Sequence, residues 1–167
     1  ISVPGLLRRP SGAPRNDFSP LFLKLLANRQ LKSPEEIENF LYADRTRLFD
    51  PFLMKGMREA VNRLEKASAE REKILVHGDY DADGITGTAI IALALEKLKI
   101  PHETFLPERA KEGYGVSQEA IEKAKRKGIH LLITVDCGIS AEGPIRRARE
   151  AGIDVMVLDH HQIPPGG

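Results

Sequence analysis

The chain has 167 residues, about the length of one globular domain, and 41% of them are hydrophobic. Its 25 basic and 24 acidic residues nearly cancel, so the net charge indicates neither a nucleic-acid partner nor a membrane partner. A single cysteine, Cys137, excludes an internal disulfide and is typical of a reducing, cytoplasmic compartment. No run approaches the roughly 20 apolar residues of a membrane span, and we expect no secretory leader.

Proline and glycine are frequent in the first 20 residues, which we predict to be an irregular arm. Helical patterns follow this arm. Ser33 is predicted to cap one helix, because Glu36 stands three residues later as in a capping box. The pair Asp50-Pro51 predicts the start of a third helix, with Met54 on its apolar face.

From residue 74 onward, predicted strands alternate with predicted helices. The strands are Ile74–Val76, Glu103–Leu106, His130–Val135 and Ile153–Leu158. This alternation implies right-handed βαβ units, and therefore an α/β fold with a parallel β-sheet and helices on both faces, of Rossmann-like type. We expect this domain to occupy residues 51–167, after the arm and helices of residues 1–50.

Aspartate and histidine side chains follow three of these strands. Ligands of an open parallel sheet bind beyond the carboxyl ends of its strands, where these side chains converge. The residues are, in chain order, His77, Asp79, Asp81, Asp83, Asp136, Asp159, His160 and His161.

Carboxylates crowded at one edge repel one another unless a cation neutralises them. Mixed carboxylate and imidazole ligands favour Mn²⁺, with Mg²⁺ as the alternative, over zinc, for which no thiolate pair is available. Two such ions would generate a hydroxide and stabilise an in-line displacement at phosphorus. Residues 79–84 also match the first half of a calcium-binding EF-hand loop, but Ile90 replaces the glutamate that this loop needs at its twelfth position.

The loop after the second predicted strand is a candidate for substrate contact. Arg109 and Lys111 can clamp phosphates, and Tyr114 can stack on a base or anchor the loop. Cys137 has no evident neighbouring base, so it is not expected to act as a nucleophile.

These motifs resemble the DHH phosphoesterase family. The family is named for an aspartate–histidine–histidine triplet, seen here as Asp159-His160-His161. The first family motif resembles His77-x-x-x-Asp81-x-Asp83, and Asp136 resembles the aspartate of the next motif. Three further segments are similar to the RecJ-type single-strand-specific exonucleases of bacteria: Val76–Ala89, Pro107–Gly115 and Leu132–Ser140.

The resemblance implies hydrolysis of phosphodiester bonds in single-stranded DNA from the 5′ end. Two metal ions, preferably Mn²⁺, would serve the reaction, which releases 5′-mononucleotides in DNA repair and recombination. A single-strand-binding protein or a helicase is implied as a further partner. Two alternatives stay open: a phosphohydrolase of small molecules or short oligonucleotides, and a noncatalytic replication scaffold of the same fold.

The resemblance also implies a role for each residue. One ion would be held by His77, Asp81 and Asp136. The other would be held by Asp83, Asp136 and His160, so that Asp136 bridges the two ions. His161 would contact the scissile phosphate, while Asp159 and Asp79 would orient the ligands. The catalytic residues implied are Asp136, His160, His161 and Asp159.

The family pattern has two elements that residues 1–167 do not contain. One is a further metal-binding aspartate downstream of the triplet. The other is a second domain with a glycine-rich, histidine-containing motif that helps to hold the nucleic acid. We therefore expect the chain to be an amino-terminal fragment with an incomplete second metal site.

Overall fold

A computed structural model of the chain describes residues 18–42, 48–107 and 115–163. The chain divides into two compact units, Ile1–Leu53 and Met54–Gly167. None of the helices in these described ranges is both long and apolar enough to cross a membrane.

The described part of the first unit contains two short helices, α1 (Pro20–Asn28) and α2 (Pro34–Leu41). The predicted capping box of α2 is confirmed. Ser33 Oγ accepts a hydrogen bond from the Glu36 N–H at 3.1 Å, and Glu36 Oε2 accepts one from the Ser33 N–H at 2.8 Å. Leu26 of α1 and Ile37 of α2 form the buried core of this pair.

The third helix does not begin at Asp50-Pro51, so that prediction is wrong. Asp50 Oδ1 accepts a hydrogen bond from the Phe52 N–H at 2.9 Å, which closes a single 3₁₀ turn over Pro51–Leu53. Helix α3 (Met57–Ala69) begins only after Gly56, whose left-handed φ of 79° separates the turn from the helix. Met54 therefore precedes the helix and is exposed.

The second unit is built on a four-stranded parallel sheet with the strand order β2-β1-β3-β4. The strands are β1 (Ile74–Gly78), β2 (His102–Phe105), β3 (Leu131–Val135) and β4 (Asp154–Leu158). The helices between them are α4 (Ala82–Lys97), α5 (Gln118–Arg126) and α6 (Glu142–Glu150). The central strands β1 and β3 are buried along their whole length, as their unbroken apolar runs predict.

Helices cover both faces of this sheet, which confirms the predicted fold class. One core cluster joins the sheet to α5 and α6 and includes Leu75, Leu132, Ile121, Ala124 and Ala148. The opposite cluster joins the sheet to α3 and α4 and includes Val76, Ile133, Ala67 and Leu95. The sheet is therefore the middle of three layers.

Helices α3 to α6 are each followed by a residue with left-handed backbone. These residues are Arg71, Lys99, Gly128 and Gly152. The next N–H then bonds back into the helix, as from Ile100 to the Leu95 carbonyl at 2.9 Å. Arg71 and Lys99 carry long side chains at positions where glycine would adopt the same backbone conformation without strain.

We predict that Lys99→Gly increases the free energy of unfolding by about 1 kcal/mol, because glycine removes the cost of left-handed backbone at this position. Urea denaturation checks this. The control is Ala94→Gly in the same helix, where the conformation is helical and glycine should decrease stability by about 1 kcal/mol. Equal losses in the two variants would contradict the prediction.

Candidate metal centre

The carboxyl ends of β1, β3 and β4 bring the predicted acidic and histidine residues together. Because the three strands are parallel and adjacent, their ends open onto the same edge of the sheet. Asp79 and Asp81 follow β1, Asp136 follows β3, and the Asp159-His160-His161 triplet follows β4.

The turn between β1 and α4 fixes the first two aspartates. Asp81 caps α4, because its Oδ1 accepts hydrogen bonds from the N–H groups of Asp83 at 3.0 Å and Gly84 at 3.1 Å. The bond from Gly84 is the main reason why the pKa of Asp81 lies below its ordinary value. Asp79 is buried, and its Oδ1 has no hydrogen-bond partner among the described residues.

Close packing of this turn depends on glycine at position 84. A Cβ atom on Gly84 would lie 2.5 Å from the backbone oxygen of Asp79. A side chain there would push the start of α4 away from the strand and carry Asp81 with it. Glycine at this position therefore allows the turn to hold the carboxylates of Asp79 and Asp81 in place.

Asp136 occupies the centre of the site in a strained conformation. Its φ is 60°, in the left-handed region that non-glycine residues rarely adopt, and its N–H bonds to the Leu158 carbonyl at 2.8 Å. Burial, and then repulsion from Asp81, raises the pKa of Asp136 above its ordinary value. The fold thus places the carboxyl group of Asp136 in surroundings that disfavour its ionised form.

Asp159 accepts several hydrogen bonds that orient its neighbours. Its Oδ2 accepts from the Ile139 N–H at 2.9 Å, and its Oδ1 accepts from the His161 N–H at 3.0 Å. The same Oδ1 lies 2.7 Å from His161 Nδ1. Burial acts to raise the pKa of Asp159, but these bonds outweigh it and the pKa is lowered. The pKa of His161 is raised in turn, chiefly by its bond to Asp159.

The two histidines of the triplet face different carboxylates. His160 Nε2 lies 2.9 Å from Asp136 Oδ1, and 73% of the His160 side chain is exposed. The two imidazole rings are 4.9 Å apart between centroids. His160 is therefore accessible to a ligand, while His161 is held by Asp159.

Among the residues that the structure describes, two groups of side chains each have their ligand atoms within 4.8 Å of one another. The first group is Asp79, Asp81 and Asp136, and the second is Asp136, His160 and His161. Their donor set of carboxylate oxygen and imidazole nitrogen suits a divalent cation such as Mn²⁺ or Mg²⁺. The buried, unpartnered Oδ1 of Asp79 fits such an ion as well, since a cation would replace the hydrogen bond that this oxygen lacks among the described residues. Asp136 belongs to both groups.

Several predicted site residues lie outside these two groups. Asp83 lines the same groove as Asp136, Asp159 and His160, but it is a member of neither group. His77 is fully buried in β1, also outside both groups. Arg109, Lys111 and Tyr114 lie outside the described residues.

A contact between His77 and Cys137 is the feature that sequence reasoning missed. The Cys137 sulfur lies 3.7 Å from His77 Nδ1, and the His77 ring packs against Phe105 with 5.3 Å between centroids. Burial, and then the charge of Asp79, raises the pKa of the Cys137 thiol to about 12. A thiol of this kind is a poor nucleophile, as expected. Sixty positions separate the pair, so no local sequence pattern could have revealed it.

The family model described as "DHH family, N-terminal domain" matches residues 73–166. The chain belongs to the DHH family. The match covers all four strands and the triplet, so the resemblance inferred from the motifs is confirmed.

Relatives of this DHH chain are named as exonucleases. It is 42% identical to the single-stranded-DNA-specific exonuclease RecJ of Bacillus subtilis, over 89% of this chain and 19% of that protein. The crystal structure of exonuclease RecJ bound to manganese matches with a TM-score of 0.62 and 45% identity, over 65% of this chain and 28% of that one. RecJ of Thermus thermophilus in complex with Mn²⁺ matches with a TM-score of 0.61 and 34% identity, over 82% of this chain and 18% of that one. The chain therefore spans about a fifth of the length of the Bacillus relative.

We predict that Gly84→Ala destabilises the protein by about 2–3 kcal/mol, because the added Cβ overlaps the backbone of Asp79. Gly143→Ala is the matched control, since a Cβ there meets nothing closer than an arginine side-chain atom at 3.6 Å. In α6 this alanine should be neutral or stabilising by up to about 1 kcal/mol. Thermal denaturation of both variants measures the difference, and similar melting temperatures would refute the packing argument.

Proposed function

We propose that this chain carries the metal-binding part of a phosphoesterase that hydrolyses single-stranded DNA as an exonuclease. The observation that carries the proposal is the position of Asp136, shared by two groups of ligand atoms at the carboxyl edge of a parallel sheet. The names of the relatives support single-stranded DNA as the substrate. The manganese in related crystal structures supports Mn²⁺ as the cofactor, and the carboxylate oxygens leave Mg²⁺ as the alternative.

Divalent ions bound here would supply a nucleophilic hydroxide and neutralise charge on the phosphate. Asp81 and Asp136 would hold them, with Asp136 bridging and His160 reachable from the solvent side. Of the residues implied by the family, His77 and Asp83 are further candidate ligands. Asp79 lies among the ligand atoms, so we extend its role from orienting the ligands to direct binding.

His161 is the residue best placed to contact the scissile phosphate. Asp159 Oδ1 accepts a hydrogen bond from the Nδ1–H of His161, which leaves Nε2 directed away from that carboxylate. The raised pKa of His161 favours the imidazolium, in which Nε2–H donates to a phosphate oxygen. Asp159 thereby orients His161 and raises its pKa.

The remaining features of the proposal come from the family. They are attack from the 5′ end, release of 5′-mononucleotides, a role in DNA repair and recombination, and cooperation with a single-strand-binding protein or a helicase. The single cysteine, a buried free thiol, supports a reducing cytoplasmic location. Arg109, Lys111 and Tyr114 are proposed to contact the DNA, and residues 51–167 to form the DHH domain.

The substrate can be tested with the complete protein that carries this chain, in the presence of Mn²⁺. We expect a single-stranded oligonucleotide to be degraded faster than its duplex, and a block at its 5′ end to stop degradation. Preference for pyrophosphate or for dinucleotides would instead establish the small-molecule alternative. Binding of DNA without hydrolysis of any of these compounds would establish the noncatalytic scaffold.

We predict that Asp136→Ala weakens Mn²⁺ binding by more than about 100-fold and abolishes hydrolysis, because it removes the ligand shared by both groups. Isothermal titration with Mn²⁺ measures the affinity. Glu150→Ala is the control: this glutamate is exposed and pairs with Arg146 at 3.9 Å on the helix surface, so its loss should leave the affinity unchanged. Normal affinity in Asp136→Ala would rule out the bridging role.

A further inference from the structure

Helix α4 exposes an apolar side to the solvent. Ile90 and Leu93 are 66% and 64% exposed, and Ile85 is 45% exposed. Ala89 and Ala94 are exposed as well. Residues three or four positions apart are neighbours on one side of a helix, so these five side chains form one patch, which we call the α4 surface.

No charged side chain interrupts the α4 surface, because residues 84–95 contain none. Thr86 is the one polar residue on this side of the helix. Its Oγ1 donates a hydrogen bond to the Ala82 carbonyl at 2.7 Å, so the hydroxyl is satisfied within the helix itself. The α4 surface therefore presents mainly hydrocarbon to its surroundings.

Helices α5 and α6 of the same domain have outer sides of the opposite kind. Their exposed residues are all polar or charged: Gln118, Glu119, Lys125 and Arg126 in α5, and Glu142, Arg146, Arg147, Arg149 and Glu150 in α6. A helix at the surface of a protein normally keeps its apolar residues on the inner side, and a helix that is apolar all round is normally covered all round. By this criterion α4 is a covered helix, whereas α5 and α6 are surface helices.

The size of the α4 surface indicates what covers it. Its three large side chains and two alanines expose roughly 400 Å² of apolar area, which is large for a patch left bare on a monomer. Each partner in a stable complex of separate proteins buries about 800 Å², so this surface alone is too small to hold two copies of the chain together. A segment of the same polypeptide needs less area, because its tether keeps it at a high effective concentration. The Bacillus relative, of which this chain spans 19%, is long enough to contain such a segment.

A second helix is the element that fits the α4 surface. The backbone groups of α4 are bonded within the helix, so this surface offers no hydrogen bonds to an incoming backbone. An extended segment would bury its own N–H and C=O groups without partners, whereas a helix satisfies them internally. Ala89 and Ala94 leave room for the close approach that packed helices need. The patch extends about 14 Å along the axis, which is between two and three helical turns.

We propose that the α4 surface is the docking site of an amphipathic helix from another part of the complete polypeptide that carries this chain. Docking would remove apolar area of both helices from water. It would also hold α4 from the side opposite to the sheet. Because α4 is capped by Asp81 and carries Asp83 in its first turn, the docked helix would support the position of both carboxylates. The docking itself does not depend on the proposed function.

Photocross-linking of the complete protein tests the occupant. The photoreactive residue p-benzoylphenylalanine replaces Leu93, and the same residue in place of Arg146, on the exposed side of α6, is the matched control. We expect the probe at position 93 to cross-link to a peptide of the same polypeptide outside residues 1–167, and the control probe to give little product. A cross-linked dimer, a cross-link to a peptide within residues 1–167, or no cross-link from position 93 would each overturn the proposal.

Thermal denaturation of the complete protein tests whether the surface is covered. Leu93→Glu should lower the melting temperature by several degrees, because the carboxylate would be buried against the docked helix. Leu93→Met keeps the apolar volume and should keep the melting temperature. Asn62→Glu, at an exposed position of α3, introduces the same residue and should cause no loss. Glutamate and leucine have similar helix propensities, so an unchanged melting temperature in Leu93→Glu would indicate a solvated face and contradict docking.

Docking and metal binding can fail separately. If the cross-link forms but the complete protein binds no Mn²⁺, the docking site stands and the proposed function is wrong. If Mn²⁺ binds and DNA is hydrolysed but no cross-link forms, the proposed function stands and the docking site is wrong.

Discussion

Aspartate carboxylates repel one another at the edge of the sheet where the strands end. This electrostatic repulsion is the constraint on which the rest of the structure depends. Asp136 is buried, stands close to Asp81, and has a raised pKa for both reasons. A stable fold does not tolerate such a group without compensation. Part of the compensation is local, through the hydrogen bonds of Asp81 and Asp159, and the proposed cation would supply the rest.

The backbone is strained by the same arrangement. Asp136 adopts left-handed φ, and Gly84 packs against the backbone of Asp79 with no room for a side chain. Conformations of this kind persist only where the surrounding structure enforces them. The buried central strands β1 and β3 supply that enforcement, because both are paired on each side. A rigid sheet is therefore the means by which a repulsive set of side chains is kept in place.

Much of this could be predicted from the sequence, and the limits have physical causes. The strands were recognisable as apolar runs, and aspartates directly after them predicted a shared edge without any knowledge of the helices. The third helix was misplaced because Asp50 can cap a helix or close a turn with the same carboxylate. The left-handed backbone of Gly56 ends the turn and delays the start of the helix. Sequence reasoning could not place the Asp79 carboxylate within 4.8 Å of those of Asp81 and Asp136, since the direction of its side chain depends on packing. The contact between His77 and Cys137 depends on the register of two strands, which no short motif encodes.

The outer edge of β4 has a consequence for work on this chain in solution. No described strand pairs with that edge, and Val155, Met156, Val157 and Leu158 form an uninterrupted apolar run along it. Unpaired backbone groups beside such a run form a template for intermolecular strand pairing. At its start the run is flanked by the ion pair of Asp154 with Arg63, at 2.7 Å, and charges of this kind act as gatekeepers against aggregation. Association of residues 1–167 in solution would accordingly be expected to occur by strand pairing at the outer edge of β4.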